Sequence, residues 1–159
     1  MISSSWTLRS ATPSDFDGLG QLMFNCVRTG DSPYTEAQRQ AWVPAPRTGP
    51  DWAERLTGQF IILAESATGA TGFMSLVESA GYIDFAYVLP QARGQGLFRK
   101  LYQQIETRAR DAETERLQVH ASLMAEPAFG AMGFKIVTPE EVPIGDQRLK
   151  RFLMEKTLS

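Results

Sequence analysis

The sequence predicts a mixed α/β fold, and three observations carry the prediction. Between Gln59 and Val88, three short aliphatic and aromatic runs are punctuated by Gly69 and Gly81, the pattern of an antiparallel meander. Residues 12–30 and 97–110 carry apolar side chains at helical spacing. Finally, Gln91-Ala92-Arg93-Gly94-Gln95-Gly96 joins the last of the strand-like runs to the second of these helices. Another strand-like run follows at Leu117, which makes one helical crossover between neighbouring central strands.

Taken in order, Thr7-Leu8-Arg9 begins a first strand. Thr12-Pro13-Ser14-Asp15 is a compact helix start: Thr12 can cap, Pro13 suits the first turn, and Asp15 favours the positive end of the helix dipole. Phe16, Leu19, Leu22, Met23, Cys26 and Val27 then recur at helical spacing up to Gly30. Thr35-Glu36-Ala37-Gln38 reads as the capping box of a second helix, which Pro44 stops, and Asp51 to Leu56 adds a further short one. The three strands are Phe60 to Ala64, Gly72 to Val77 and Tyr82 to Val88. The crossover helix bears Leu97, Leu101, Ile105 and Ala109 on one stripe. Leu117 to Ser122 is a strand, Glu126 to Met132 a short helix, and Phe134 to Val137 and Leu149 to Met154 are closing strands.

Composition bounds the function. The 159 residues are expected to form one domain, 1–159. Sixteen basic against 18 acidic residues argue against a nucleic-acid partner, which wants a dominant basic face. No apolar run approaches the ~20 residues that span a bilayer, so no membrane partner is expected. The segment Met1 to Trp6 lacks the basic-then-apolar order of a signal peptide, and one cysteine suits a reducing compartment, so the expected location is cytoplasmic. One cysteine and one histidine cannot build a Cys/His zinc site, and no metal is expected.

The hexapeptide 91–96 carries the chemistry. Two glycines permit close backbone approach and positive φ. A helix starting at Gly96 aims unpaired N–H groups and its positive end into that loop, an arrangement that binds phosphate. Residues 91–110 hold Arg93, Arg99, Lys100, Arg108 and Arg110 against Glu106 alone, so five minus one gives +4 in a chain of −2. A dinucleotide fingerprint wants a third small residue where Arg99 stands, and no Gly-Lys-Ser/Thr of a Walker loop exists.

Tyr87-Val88-Leu89-Pro90-Gln91-Ala92-Arg93-Gly94-Gln95-Gly96 resembles the acetyl-CoA signature of the GNAT superfamily of N-acetyltransferases. A later block, Ala125 to Phe134, resembles that family's late helix and closing Gly-Phe. The resemblance implies a mostly antiparallel sheet of about six to seven strands flanked by about four helices. It also implies acetyl-CoA as co-substrate and a primary amine of a small molecule or peptide as acceptor, acetylated by direct attack. A catalytically silent acyl-CoA-binding or sensor module is the alternative, and the protein is expected as a monomer or homodimer.

On this resemblance Arg93, Gly94, Gln95, Gly96, Leu97 and Phe98 cradle the phosphates, and Phe85 to Val88 hold the pantetheine arm through main chain. The amide of Tyr87 or Val88 polarises the thioester, a contribution of roughly 3–4 kcal/mol for an aimed donor. Asp84 interrupts an apolar strand and is the first candidate base, followed by Glu78; pairing with an arginine or capping a neighbouring loop is the structural alternative for Asp84. The family's tyrosine acid corresponds to Phe129, a residue on the cofactor side that has no exchangeable proton. His120 and Ser122, on one face of their strand, are catalytic candidates: either of them, or a water, can stand in for that acid, and the family's residues there touch cofactor or a water. Tyr34 and Trp42 are candidates for the acceptor pocket through cation–π contact, whereas Trp52 and Cys26 are expected in the core.

Overall fold

In the computed structural model, residues 5–158 are described, and the expectation that Met1 to Trp6 is no signal peptide falls mostly outside them. The chain runs β1 (Thr7–Ser10), α1 (Phe16–Arg28), α2 (Glu36–Trp42), α3 (Gly49–Leu56), β2 (Phe60–Ser66), β3 (Gly69–Val77) and β4 (Tyr82–Val88). It continues through α4 (Leu97–Asp111), β5 (Arg116–Ser122), α5 (Glu126–Ala131), β6 (Lys135–Ile144) and β7 (Gln147–Thr157). One seven-stranded sheet has the order β1-β2-β3-β4-β5-β7-β6. Every neighbouring pair is antiparallel except β4 and β5, the two strands joined by α4.

Helices cover both faces because the central strands are apolar on both. Met74, Leu76 and Ile83 point to one side, where they pack with Leu97, Leu101 and Ile105 of α4 and with Phe129 of α5. Their neighbours Phe73 and Phe85 point to the other, against Leu19, Met23 and Trp52 of α1 and α3. Trp52 belongs to that core, its Nε1 donating to the Phe16 carbonyl at 2.6 Å. The expected capping box is formed: the Gln38 amide donates to Thr35 Oγ1 at 3.1 Å and the Thr35 amide to Gln38 Oε1 at 2.9 Å.

The closing strands are longer than the sequence suggests. Lys135–Ile144 and Gln147–Thr157 form a long hairpin where short runs, Phe134 to Val137 and Leu149 to Met154, were expected. Pro139 and Pro143 hide the first strand from a pattern reading. They are tolerated because β6 is the last strand of the sheet and has β7 on one side only.

Candidate active site

β4 and β5 pair only at Tyr82 with Gln118 and Ile83 with Val119, and then part, although β4 runs on to Val88 and β5 to Ser122. The separation exposes one edge of β4. Antiparallel hydrogen bonding alternates along a strand. The Leu89 amide donates to Thr71 O at 2.9 Å and the Phe85 amide to Ser75 Oγ at 3.1 Å, both toward β3. By that alternation the Tyr87 amide also faces β3, while the amides of Ala86 and Val88 face the gap. Of the two expected main-chain donors, Tyr87 is therefore committed to the sheet and Val88 is available.

A cleft of about 390 Å³ occupies this gap, lined by Ala86 and Val88 from β4, Gly94 and Gly96 from the loop, and Ala128 and Met132 from the α5 side. Gly94 and Gly96 have φ of 75° and 88°, and a β-carbon on either would meet nothing within 4 Å. Open space lies beside them, next to the α4 amides that a first turn leaves unbonded, where the sequence leads one to expect an anion cradle. Arg93 and Phe98 also line the cleft. Leu97 offers only main chain, since its side chain is buried. Gln95 lies outside the lining, its Nε2 donating to Gln91 O at 2.8 Å across the turn.

Arg93 ties this loop to the body of the protein. Its Nη2 donates to the Cys26 carbonyl at 3.2 Å, Nη1 to Asp31 at 3.4 Å and Nε to Val88 at 3.3 Å. Cys26 lies in the last turn of α1, where a cation also meets the negative end of the helix dipole. Cys26 belongs to the core, as expected, with the cleft beside it; burial pushes its thiol up to about 12, so it stays protonated at neutral pH.

A second cavity of about 170 Å³ adjoins the first, and the two share Trp42, Tyr87 and Ser122. Its polar lining includes Asp84, His120, Tyr34, Tyr82 and three arginines, Arg47, Arg55 and Arg151. Asp84 Oδ1 accepts from Arg55 Nη2 at 2.9 Å, and Oδ2 accepts from Gln59 Nε2 at 2.8 Å and Arg55 Nε at 3.2 Å. The Arg55 guanidinium is also 4.8 Å from the Phe85 ring centroid.

His120 Nδ1 lies 2.7 Å from the Tyr82 hydroxyl, and its Nε2 lies 3.5 Å from Glu140 Oε1. The carboxylate favours the tautomer protonated on Nε2, which leaves Nδ1 to accept from Tyr82. Desolvation holds the imidazole below its ordinary 6.5, Arg151 adds to that effect, and Glu140 opposes it. Burial first of all raises the Tyr87 hydroxyl, while the charge of Arg47 pulls it back.

Ser122 Oγ accepts from the Ala125 amide at 3.1 Å, so it shapes the turn into α5. Tyr34 donates to the Lys150 carbonyl at 2.5 Å and accepts from the Leu123 amide at 2.9 Å, bracing β7 against the end of β5. Trp42 stands edge-on to Tyr34 at 5.6 Å between centroids.

Phe129 is the correction among the cofactor candidates. It is fully buried, 4.9 Å from the Phe98 ring and 5.1 Å from Phe134, and is absent from the cleft lining. Ala125, Ala128 and Met132, spaced three and four apart, line the cleft, and Phe129 is turned about 100° from Ala128 into the core. Glu78 is elsewhere, paired with Arg108. Sequence reasoning missed Tyr82, Arg47, Arg55 and Arg151. Asp84 in an apolar strand signals that some cation must come to it; nothing local signals the other three.

A family profile described as "Acetyltransferase (GNAT) domain" matches residues 31–158. No curated protein matches the chain. Among solved structures, a GCN5-related N-acetyltransferase of Rhodopseudomonas palustris is similar over 99% of each chain, at 29% identity and a TM-score of 0.86. A phosphinothricin acetyltransferase of Sinorhizobium meliloti, solved with acetyl-CoA, is 19% identical over 97% of this chain and 89% of its own, with a TM-score of 0.71. The PaiA N-acetyltransferase of Thermoplasma acidophilum, solved with coenzyme A, is 16% identical over 97% and 99%, with a TM-score of 0.69. The parted β4 and β5, the glycine loop at the head of α4 and the profile match over most of the length agree: this chain belongs to the GNAT family of acetyltransferases.

Proposed function

We propose that the protein moves the acetyl group of acetyl-CoA to a primary amine by direct attack. The observation that carries this reading is the meeting of two cavities at Trp42, Tyr87 and Ser122, beside the free edge of β4. The larger cleft suits the pantetheine arm and thioester, with the pyrophosphate on the amides at Gly94 to Phe98. The smaller one suits the amine. Val88 supplies the main-chain N–H for the developing oxyanion. Direct transfer is supported by Cys26, since a thiol protonated at neutral pH is a poor acyl carrier.

The amine arrives as an ammonium of pKa ~10 and must lose a proton. His120 is the acceptor in this scheme. A water passes the proton to the Tyr82 oxygen while the Tyr82 hydroxyl proton moves to His120 Nδ1. Asp84 holds Arg55 and Gln59 rather than serving as base, because both of its oxygens already accept hydrogen bonds. Thiolate departure uses no side-chain acid, which a leaving group of pKa ~8.5 tolerates.

Release of free CoA with a panel of amines, measured beside CoA affinity by calorimetry, tests the proposal. Gly94→Glu places a carboxylate in the open space by the loop, and CoA affinity is expected to fall at least ~10-fold. Unchanged affinity in the folded variant removes the cradle. Tight CoA binding without transfer to any amine makes the protein a silent binding module.

A further inference from the structure

The smaller cavity is built with more positive charge than a bare amine tolerates. Arg47, Arg55, Lys150 and Arg151 line it against Asp84. Asp84 takes up Arg55, and Glu140 takes up Arg151 at 2.8 Å. Four cations against two carboxylates leave two positive charges. The remaining cations are Lys150, which is exposed, and the half-buried Arg47; neither makes a salt bridge among the described residues.

Arg47 is also held in place. Its guanidinium is 5.8 Å from the centroid of the Trp52 ring, and Trp52 is buried and anchored to the Phe16 carbonyl. Its main chain sits directly on Gly20 of α1. An ordered, unpaired guanidinium beside the junction of the two cavities repels an ammonium unless the same molecule brings a negative charge. A planar fork of donors matches a carboxylate in two hydrogen bonds. At about 170 Å³ the cavity is below the 300–1,000 Å³ of a drug-sized site, which limits what enters to a small molecule or the tip of a larger one.

We propose that the acceptor is a small amine that also carries a carboxylate, and that Arg47 receives that carboxylate while the amine faces Tyr87 and Ser122. The inference rests on the reading of the smaller cavity as the acceptor site. It excludes polyamines and other acceptors whose only charges are positive.

The test uses the full chain and a panel of α-, β- and γ-amino acids, each beside its own carboxamide. Expected is acetylation of at least one amino acid with kcat/KM at least ~10-fold above its amide, the selectivity of one charge-assisted contact. Arg47→Gln brings the pair near parity, mainly through the acceptor KM, with CoA affinity unchanged. Arg47→Lys retains part of the preference. Equal or better turnover of the amides overturns the inference and leaves acetyl transfer standing. If no compound turns over, calorimetry on CoA-saturated protein decides. Binding of an amino acid but not its amide, lost in Arg47→Gln, supports carboxylate recognition and sinks the transfer reading. No difference between the members of each pair sinks the inference.

Discussion

The carbonyl oxygen of Arg47 lies 1.9 Å from where a β-carbon on residue 20 would stand, so Gly20 and Arg47 share a backbone contact that only glycine permits. Gly20 is inside α1, where glycine costs roughly 1 kcal/mol relative to alanine. The helix carries that cost and gains a fixed seat for the loop that bears Arg47.

Gly20→Ala therefore sets two effects against each other. Propensity alone makes the alanine chain more stable by ~1 kcal/mol. The clash is with backbone, which cannot swing aside like a flexible side chain, and overpacking of this kind costs ~1–3 kcal/mol. Net loss of stability is expected in urea denaturation, together with a raised acceptor KM and unchanged CoA affinity. A gain in stability would show that the loop moves freely.

Phe129→Tyr asks whether the family's acid can be restored by one atom. Phe129 is fully buried and packed between the rings of Phe98 and Phe134. Burying an unpaired hydroxyl costs ~1–3 kcal/mol. Lower stability is expected, with turnover changed less than ~10-fold, which is under the range of a positioned general acid. A large rise in turnover would mean that the ring reaches the leaving sulfur, against its burial.

What the sequence disclosed and what it hid follow from range. The glycine loop is local: glycines at 94 and 96, a strand before and a helix after, all within one stretch that can be read directly. The apolar runs of β2, β3 and β4 are equally plain, because strands buried on both faces need little else. The charge chemistry of the smaller cavity is not local. Arg47, Arg55, Tyr82, His120 and Arg151 come from a loop, a helix and three strands, and only tertiary folding sets Tyr82 beside His120. Phe129 failed for a finer reason. Its neighbour Ala128 lines the cleft, and one residue of helical rotation decides which of the two meets the cofactor.

The Tyr82–His120 couple predicts the form of the pH profile. His120 must be neutral to accept a proton, and its pKa is held below 6.5, so kcat/KM should rise along an acid limb centred below pH 6.5 and then level. Stability moves the same way. With the folded pKa below the unfolded one, both states are neutral above pH 6.5 and the group changes nothing there. As pH falls below 6.5 the unfolded chain takes up the proton first, and stability is lost until the folded imidazole is protonated too. His120→Gln should remove this limb and lower kcat/KM by ~10² or more, the lower part of the range for a general base. Tyr82→Phe should lower kcat/KM comparably while leaving CoA affinity intact, because it breaks the relay and spares the cleft. Rate profiles from pH 5 to 9 on the unsubstituted protein, these two variants and Asp84→Asn check both effects. A limb that persists unchanged in His120→Gln, and disappears in Asp84→Asn instead, would return the role of base to Asp84.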